Sequence, residues 1–289
     1  ITLCGNSVWK DISEKFDSKV IDEFYWINKK KFLISPNYRY KILKEINKRD
    51  FGVTINPTYS REFFSDVLIK ASRSRKKIGG KGDHGNIIWW QKLISDKYYT
   101  QLLDNEDSQV FEFYKNERFF EKFLGRKLSI NKTTLKMKNK TQNYAVLFTM
   151  ANAKRRKWNL KNFLEIKEYL EKVKKLKVHI VDKKFKSIND LITLISNAKI
   201  VISNDTCASH ISAACNVPLV CILHGRHFGR FAPYPNKIYN KGLFLYPKRI
   251  MGDLNKFEYL AKKYKNFSNR SINEIKVQQV KESIIKLLS

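Results

Sequence analysis

The sequence predicts an α/β fold with parallel sheets, divided into two domains. Short apolar runs typical of buried strands alternate with amphipathic, helix-like stretches, and this alternation occurs twice along the 289 residues. Between the two series, residues 127–142 are polar, rich in Lys and Thr, and show no sustained period. We therefore expect one domain at 1–138 and a second at 139–289. Two such domains facing each other would form a central cleft suited to an enzyme.

The first domain begins with an apolar run and continues with stretches of period two and period 3.6. A basic cluster at 73–77 leads into Gly79, Gly80, Gly82 and Gly85, which we interpret as a glycine-rich loop. The other elements expected here are strands at 1–4, 20–27 and 51–55 and helices at 7–16, 38–48, 61–71 and 107–123.

The second domain repeats the alternation with more strongly apolar strands. The run at 200–203 is entirely apolar up to Ser203, as expected for a strand covered on both faces. Residues 277–288 have apolar side chains on one side of a helix. The expected elements are strands at 144–150, 200–203 and 219–223 and helices at 160–174, 187–198, 209–215 and 277–288.

Composition narrows the possible function classes. The chain has 57 Lys and Arg against 27 Asp and Glu, which gives a formal net charge of +30. Because 43% of the residues are hydrophobic, the chain can bury a core, and a disordered basic tail is excluded. The charge favours an anionic partner such as phosphate, nucleic acid or a membrane surface. A bias toward AT-rich codons, which favours Lys, explains part of the excess positive charge equally well.

Cysteine usage and hydropathy bound the cellular context. The four cysteines form no C-x-x-C pair and lack a His at zinc-ligand spacing, which argues against a disulfide framework and a structural metal. No apolar run approaches the roughly 18–20 residues that cross a bilayer, and the first residues lack the features of a signal peptide. We expect a cytosolic protein.

The residues most suited to chemistry follow the strand at 200–203. Asn204, Asp205 and Thr206 form a turn, and a helix of small residues that includes His210 begins at once. In an open parallel sheet, ligands bind at the carboxyl ends of strands, where free helix N–H groups hold phosphate. A second strand end, at Gly225, converges on the same place. The alternative is that Asp205 and Thr206 only cap the helix and that His210 is an interior histidine.

This segment resembles a known family. Residues 203–220 read S-N-D-T-C-A-S-H-I-S-A-A-C-N-V-P-L-V, which is similar to the D-T-G-x-S-H-x-A-A-A-x-x-x-P-x-V signature of glycosyltransferase family 9, the ADP-heptose:lipopolysaccharide heptosyltransferases. Residues 151–163 resemble the family's G-A-x-x-x-K-x-W-P-x-x-x-F segment. Residues 223–225 and 231–234 resemble its strand-G-P-T and W-G-P-Y segments.

The resemblance implies a GT-B fold, in which two Rossmann-like domains flank a central cleft and the C-terminal one binds the nucleotide-sugar. It also implies inverting transfer of heptose, or a related sugar, from an ADP-sugar to a lipopolysaccharide or lipooligosaccharide core. The family uses no metal motif, so neither a metal nor a further cofactor is expected. The donor-binding residues that it implies are Asp205, Thr206, Cys207, Ser209, His210, Arg156 and Gly225.

Some positions depart from the family pattern. Cys207 stands where the signature has Gly, and Arg226 stands where the family usually has Pro. The stretch at 177–190 looks too short for the family's strand and donor-binding acidic loop. The family's first strand and the Gly-Asp loop with its catalytic base have no counterpart in the sequence, so we expect this first element to be missing.

Two groups in the glycine-rich loop can replace that base, Asp83 and His84, although a solvated loop is the plainer interpretation. The nearby basic residues are expected to bind an anionic glycolipid acceptor, or else to form a solvated helix end; they are Arg73, Arg75, Lys76, Lys77 and Lys81. This favours a cytoplasmic enzyme at the inner membrane surface. The alternatives are a nucleotide-sugar-binding protein without catalysis and a nucleic-acid-binding protein, for which no motif is found.

Overall fold

Every strand pairing in the structure is parallel. The computed structural model describes residues 1–104, 111–130, 132, 133, 135, 137, 140–183, 185 and 187–289. The chain divides into unit 1, Ile1–Ile130, and unit 2, Asn131–Ser289, whereas the sequence placed the boundary at 138/139. Leu135 shows why the linker goes with unit 2, because its N–H donates to the carbonyl of Ala214 at 2.9 Å. The predicted α/β class is confirmed.

Unit 1 contains two small parallel sheets. Strands β1 and β2 pair with each other, and strands β3, β4 and β5 form the second sheet in that order. The strands are β1 (Thr2–Asn6), β2 (Glu23–Ile27), β3 (Val53–Asn56), β4 (Lys76–Gly80) and β5 (Gln101–Leu103), and the helices are α1 (Lys10–Phe16), α2 (Lys29–Ile34), α3 (Pro36–Lys48), α4 (Phe63–Ala71), α5 (Trp89–Ser95) and α6 (Glu112–Leu124).

Unit 2 is a doubly wound domain with one five-stranded sheet. Its strands are β6 (Tyr144–Phe148), β7 (Lys177–Val181), β8 (Ile200–Asn204), β9 (Leu219–Ile222) and β10 (Gly242–Leu245), and its helices are α7 (Leu160–Lys172), α8 (Ile188–Ser196), α9 (Cys207–Ala214), α10 (Lys248–Gly252), α11 (Phe257–Lys263) and α12 (Val277–Leu288). The strand order is β10-β9-β8-β6-β7. Successive strands are therefore added outward in opposite directions from the boundary between β6 and β8. This boundary is the switch point, where such sheets bind ligands.

Two stretches differ from the sequence-based prediction. Gly79 and Gly80 lie inside β4 rather than in a loop, since the ring of Tyr99 packs where a Cβ of Gly79 would stand. Residues 177–190 also retain a strand, because Lys177–Val181 forms β7 at the sheet edge, so the expectation of a trimmed strand is wrong. The start of the helix predicted at 107–123 falls partly outside the described residues, and the described helix is α6.

The core of unit 2 is built on its three central strands. Every residue of β6, β8 and β9 is buried, so both faces of the sheet are covered. On one face, alternate side chains such as Leu147 and Ile202 pack against Phe163 of α7 and Ile284 of α12. No helix among the described residues is long and apolar enough to cross a membrane.

A buried polar network fixes the interior of unit 1. The Asp66 carboxylate, fully buried on α4, accepts hydrogen bonds from Arg61, Ser95 and Tyr99. Arg61 is also buried and pairs with Asp96. Because a buried charge without partners is costly, this network ties α4 to α5 and to the segment before β5.

We predict that Phe163→Ala destabilises unit 2 by about 3–5 kcal/mol, because the fully buried ring leaves a cavity between α7 and the sheet. Urea unfolding monitored by circular dichroism measures this. The control is Leu164→Ala on the same helix, whose side chain is half exposed and should cost no more than about 0.5 kcal/mol. Equal losses in both variants would contradict the described packing of α7.

Candidate functional site

The candidate site of unit 2 begins where β8 ends. Thr206 is the N-cap of α9, and its hydroxyl accepts a hydrogen bond from the Ala208 N–H at 3.4 Å. Ser209 is buried, and its hydroxyl donates to the Thr206 carbonyl at 2.7 Å. These bonds shape the turn between strand and helix, so Asp205 and the first N–H groups of α9 lie at the switch point of the sheet.

Asn204 joins three segments at this point. Its side chain is fully buried, and its amide donates to the carbonyls of Thr149 at 2.9 Å and Met150 at 3.4 Å, just beyond β6. Its side-chain oxygen accepts from the Trp158 N–H at 3.1 Å. The end of β8, the end of β6 and the loop before α7 are therefore held in one arrangement. The sequence predicts Asn204 only as a turn residue and gives no sign of this bridging role.

Arg156 and Asp205 form the ion pair of the site. Arg156 belongs to a short 3₁₀ helix, Lys154–Arg156, and its guanidinium lies 2.8 Å from the Asp205 carboxylate. The same guanidinium donates to the Asp205 backbone carbonyl. Both side chains are half-buried. The predicted donor residues Arg156, Asp205 and Thr206 are thus brought together by the fold.

His224 marks a cluster of positive charge that the sequence analysis missed. It follows β9, is only 4% exposed, and its Nδ1 has no hydrogen-bond partner within the described residues. Burial lowers its pKa, and the charges of Arg155, Arg156 and Arg226 lower it further, whereas Asp205 opposes them. Among the described residues, neither Arg155 nor Arg226 has an ion-pair partner. The charges of Arg155, Arg156 and Arg226 thus act on one imidazole, with Asp205 as the opposing carboxylate, and this excess of positive charge attracts an anion.

His210 lies beside the same pair. Its Nδ1 is 2.6 Å from the Tyr234 hydroxyl. The surrounding protein lowers the pKa of His210, and Arg156 also lowers it, while Asp205 raises it, so the ring is neutral near pH 7. Burial raises the pKa of Tyr234, which keeps its hydroxyl protonated. The His210 residue keeps an exposed surface, which leaves it accessible to a ligand.

Cys207 and Gly225 are the remaining donor candidates, and local structure explains why each residue type is found at its position. Cys207 is the first residue of α9, with an exposed side chain and no positive φ, so the side chain fits there without backbone strain. Gly225 has a φ of +95°, and a Cβ there would approach the Ile250 side chain to 2.4 Å. Gly225 is therefore required by the backbone and by packing.

A pocket of about 380 Å³ lies at the carboxyl ends of β6 and β7. Its walls include Thr149 and Met150 after β6, Trp158 before α7, and Asp182, which directly follows β7. This volume is within the range of small-molecule sites. Asp182 was missed because the sequence analysis expected no strand before it.

The candidate residues of unit 1 fall into two places. Asp83 and His84 follow β4, where the Asp83 carboxylate accepts from the Ser60 hydroxyl at 2.7 Å and the Gly85 N–H at 2.9 Å. Lys81 lies at the same end of the strand and pairs with Asp104 at 3.1 Å. Arg73 and Arg75 instead precede β4, and Lys76 and Lys77 are its first two residues.

This arrangement corrects the predicted acceptor site. The sequence predicts all five basic residues beside the loop of Asp83, but the length of β4 puts Lys76, its first residue, about 16 Å from Lys81, and Arg73 and Arg75 precede Lys76. The error has a clear cause, since the glycine-rich strand was interpreted as a loop. In the described parts of the chain, no group of three His, Cys, Asp or Glu residues is placed to hold a metal ion.

Comparisons with known proteins agree with this geometry. The family model of glycosyltransferase family 9 (heptosyltransferase) matches residues 137–256, which include Arg156, Asp205 and Arg226. A comparison with curated proteins finds no match.

Solved structures extend the likeness to the whole chain. The family 9 glycosyltransferase of Veillonella parvula DSM 2008 aligns with a TM-score of 0.72 and 14% identity, over 100% of this chain and 88% of that one. Escherichia coli heptosyltransferase WaaC with ADP aligns with a TM-score of 0.66 and 13% identity, over 99% and 86%. WaaC with ADP-2-deoxy-2-fluoro heptose gives 0.65 and 13%, over 99% of both chains.

The comparisons define the class by its fold: the chain has the GT-B fold of the heptosyltransferase structures. More particularly, residues 137–256 match the model of glycosyltransferase family 9 (heptosyltransferase), and the resemblance predicted from the sequence is confirmed.

We predict that Asn204→Asp lowers the free energy of unfolding of unit 2 and the affinity of its candidate site for ADP. The carboxylate would face the carbonyls of Thr149 and Met150 without a donor between them, at a cost of about 2–4 kcal/mol. Urea unfolding and calorimetric titration with ADP measure the two effects. Asn240→Asp, at an exposed position, is the control and should change neither. Unchanged stability in Asn204→Asp would show that this amide does not hold the site.

Proposed function

We propose that the protein transfers heptose, or a related sugar, from an ADP-sugar to a lipopolysaccharide or lipooligosaccharide core, with inversion at the anomeric carbon. The observation that carries the proposal is the Arg156–Asp205 ion pair beside the start of α9, at the switch point of the unit 2 sheet and within the family 9 segment. Arg155 and Arg226 add positive charge near His224 and make the site a basic cluster. That position suits a diphosphate, which carries the charge that this cluster lacks.

The diphosphate is proposed to bind between the arginines and the start of α9. The Thr206 and Cys207 N–H groups supply backbone donors, and the eight-residue helix adds its positive end. Arg156 is held by Asp205, while Arg155 and Arg226 are exposed and able to form charge-assisted hydrogen bonds with phosphate oxygens. Arg226 thereby gains a role at a position where the family pattern has Pro.

The same groups suit the leaving group of the reaction. Negative charge develops on the diphosphate as its bond to the sugar breaks, and preorganised positive groups stabilise that charge. If Tyr234 donates to Nδ1 of His210, the imidazole N–H is at Nε2 and can donate a hydrogen bond to a phosphate oxygen. In this proposal the chain's own side chains neutralise the diphosphate, and no metal or further cofactor takes part.

The pocket beside the switch point is proposed to receive the nucleoside. Asp182 offers carboxylate oxygens at its rim, which suit the hydroxyl groups of a ribose. The comparison structures of WaaC contain ADP and an ADP-sugar analogue, which supports adenine as the base.

The acceptor hydroxyl requires a general base in an inverting transfer. Its proton passes to the base while its oxygen attacks the anomeric carbon opposite the diphosphate, which leaves with the electron pair of the broken bond. We propose Asp83, with His84 as the alternative, since Asp83 is fixed by Ser60 and Gly85 at the end of β4. Lys81 beside it suits an anionic core acceptor.

We further propose that the protein works in the cytoplasm at the inner membrane surface, where a lipid-linked acceptor is presented.

We predict that the double variant Arg155→Ala/Arg226→Ala binds ADP at least about tenfold more weakly, because charge-assisted hydrogen bonds to the diphosphate are lost. Isothermal titration calorimetry measures the Kd, and the difference should shrink as salt rises.

The control for this pair is Lys177→Ala/Lys199→Ala, which removes two exposed positive charges at the amino ends of β7 and β8, opposite the site. It should leave the Kd for ADP within about twofold, as expected for distant surface charges. If both double variants weaken ADP binding equally, the effect is one of net charge, and the proposed diphosphate site is wrong.

We predict that Asp83→Asn retains ADP affinity but lowers turnover by about 100-fold or more, because the amide keeps an oxygen for Ser60 and Gly85 yet cannot accept the proton. Turnover is followed as ADP release from ADP-heptose with a heptose-free lipooligosaccharide core fragment. Asp104→Asn, also in unit 1, is the control. Full activity in Asp83→Asn would exclude it as the base, and ADP binding with no turnover in the unaltered protein would favour a binding protein without catalysis.

A further inference from the structure

Helix α5 of unit 1 carries large apolar side chains on its outer face. Trp89 is 70% exposed and Leu93 62% exposed, and Ile88, Trp90 and Ile94 are each exposed by more than two fifths. Residues 89, 90, 93 and 94 have the spacing that puts side chains on one side of a helix. A group of large exposed apolar side chains of this kind marks an interaction surface. We call these five residues the α5 face.

The α5 face is held outward by the opposite side of the helix. Ser95 is buried, and its hydroxyl donates to the Asp66 carboxylate at 2.6 Å. Lys92 pairs with Asp96 at 2.8 Å, and Asp96 also pairs with the buried Arg61. The helix is therefore fixed by the polar network of unit 1, and the apolar side chains cannot turn inward without breaking these bonds.

Positive side chains surround the carboxyl end of this helix. Lys97 is exposed and lies one turn beyond Leu93, just before Tyr98. The Lys70 ammonium lies 4.8 Å from the centre of the Tyr98 ring, and the Lys77 ammonium donates to the Lys70 carbonyl at 3.2 Å. Arg73 and Arg75, which follow Lys70 in the chain, are also exposed. The basic cluster that does not reach the loop of Asp83 is thus next to α5.

We propose that the α5 face is a docking surface for an anionic lipid bilayer. Trp, Leu and Ile side chains suit the boundary between headgroups and acyl chains, where Trp is enriched. The neighbouring Lys and Arg side chains suit the acidic headgroups, and the net charge of +30 adds a general attraction. This combination of an apolar face with a one-sided positive rim favours a bilayer over a protein partner. The proposal rests on the proposed function for its purpose, because a lipid-linked acceptor would be presented at such a surface.

The test is flotation of the full chain with vesicles of equal parts phosphatidylglycerol and phosphatidylcholine, compared with phosphatidylcholine alone. We expect binding to the anionic vesicles and quenching of tryptophan fluorescence by lipids brominated in the acyl chain. In Trp89→Ser/Leu93→Gln the apparent affinity should fall about tenfold or more, and the quenching should be lost. Arg73→Glu/Arg75→Glu should reduce binding to the anionic vesicles selectively.

The matched control is Phe267→Ser/Val173→Gln, which makes equivalent changes at two equally exposed apolar positions of unit 2 and should bind vesicles as the unaltered chain does. Circular dichroism and the Kd for ADP should be unchanged in both double variants. Equal vesicle binding by the Trp89→Ser/Leu93→Gln variant and the unaltered chain would overturn the proposal. Self-association that this variant abolishes, without vesicle binding, would instead make the α5 face a protein contact and overturn the proposal as well.

The outcomes separate this proposal from the proposed function. Vesicle binding without ADP binding would leave the docking surface standing and would refute the donor site. ADP binding without vesicle binding would refute the docking surface and would leave the donor site standing.

Discussion

The arrangement of the candidate site in unit 2 depends on the side-chain amide of Asn204. This one group satisfies two backbone carbonyls after β6 and one backbone N–H before α7 while it terminates β8. The strand ends at a switch point leave such backbone groups without ladder partners, and buried groups of this kind must be paired. By pairing them, Asn204 positions Asp205, the start of α9 and the loop of Arg156 against one another. The charges of the site are thus fixed by a neutral, fully buried residue.

The electrostatics of the site follow from that geometry. The charges of Arg155, Arg156 and Arg226 lower the pKa of His224, and Asp205 opposes them only in part. A bound polyanion would offset this excess of positive charge. The lowered pKa of His224 and the lowered pKa of His210 have the same origin, because burial and neighbouring guanidinium groups both disfavour imidazolium. Both histidines are therefore neutral near pH 7, and each ring can donate one N–H hydrogen bond without adding positive charge to the site.

In unit 1 a comparable polar network serves a different purpose. Asp66 and Arg61 are buried together, and through Ser95 and Asp96 they fix the orientation of α5. The sheet then separates two groups of residues: Asp83 and Lys81 lie at the carboxyl end of β4, whereas Arg73 and Arg75 precede its amino end. Basic residues that are neighbours in the sequence are thereby assigned to different surfaces.

The sequence by itself determined the α/β class, the parallel pairing implied by alternating elements, and the turn at 204–206 between strand and capped helix, because strand and helix periods and capping residues are local properties. It also carried the family signature on which the identification depends. It could not give the strand of Gly79 and Gly80, since the packing of Tyr99 that allows glycine there comes from another element. Nor could it show that Arg226, which follows β9, and Arg155, which follows β6, both act on the charge of His224, or that Asp182 follows a strand and lines the pocket beside the end of β6. Those contacts are decided by the order of strands in the sheet, which joins residues far apart in the chain and has no signal in the local pattern.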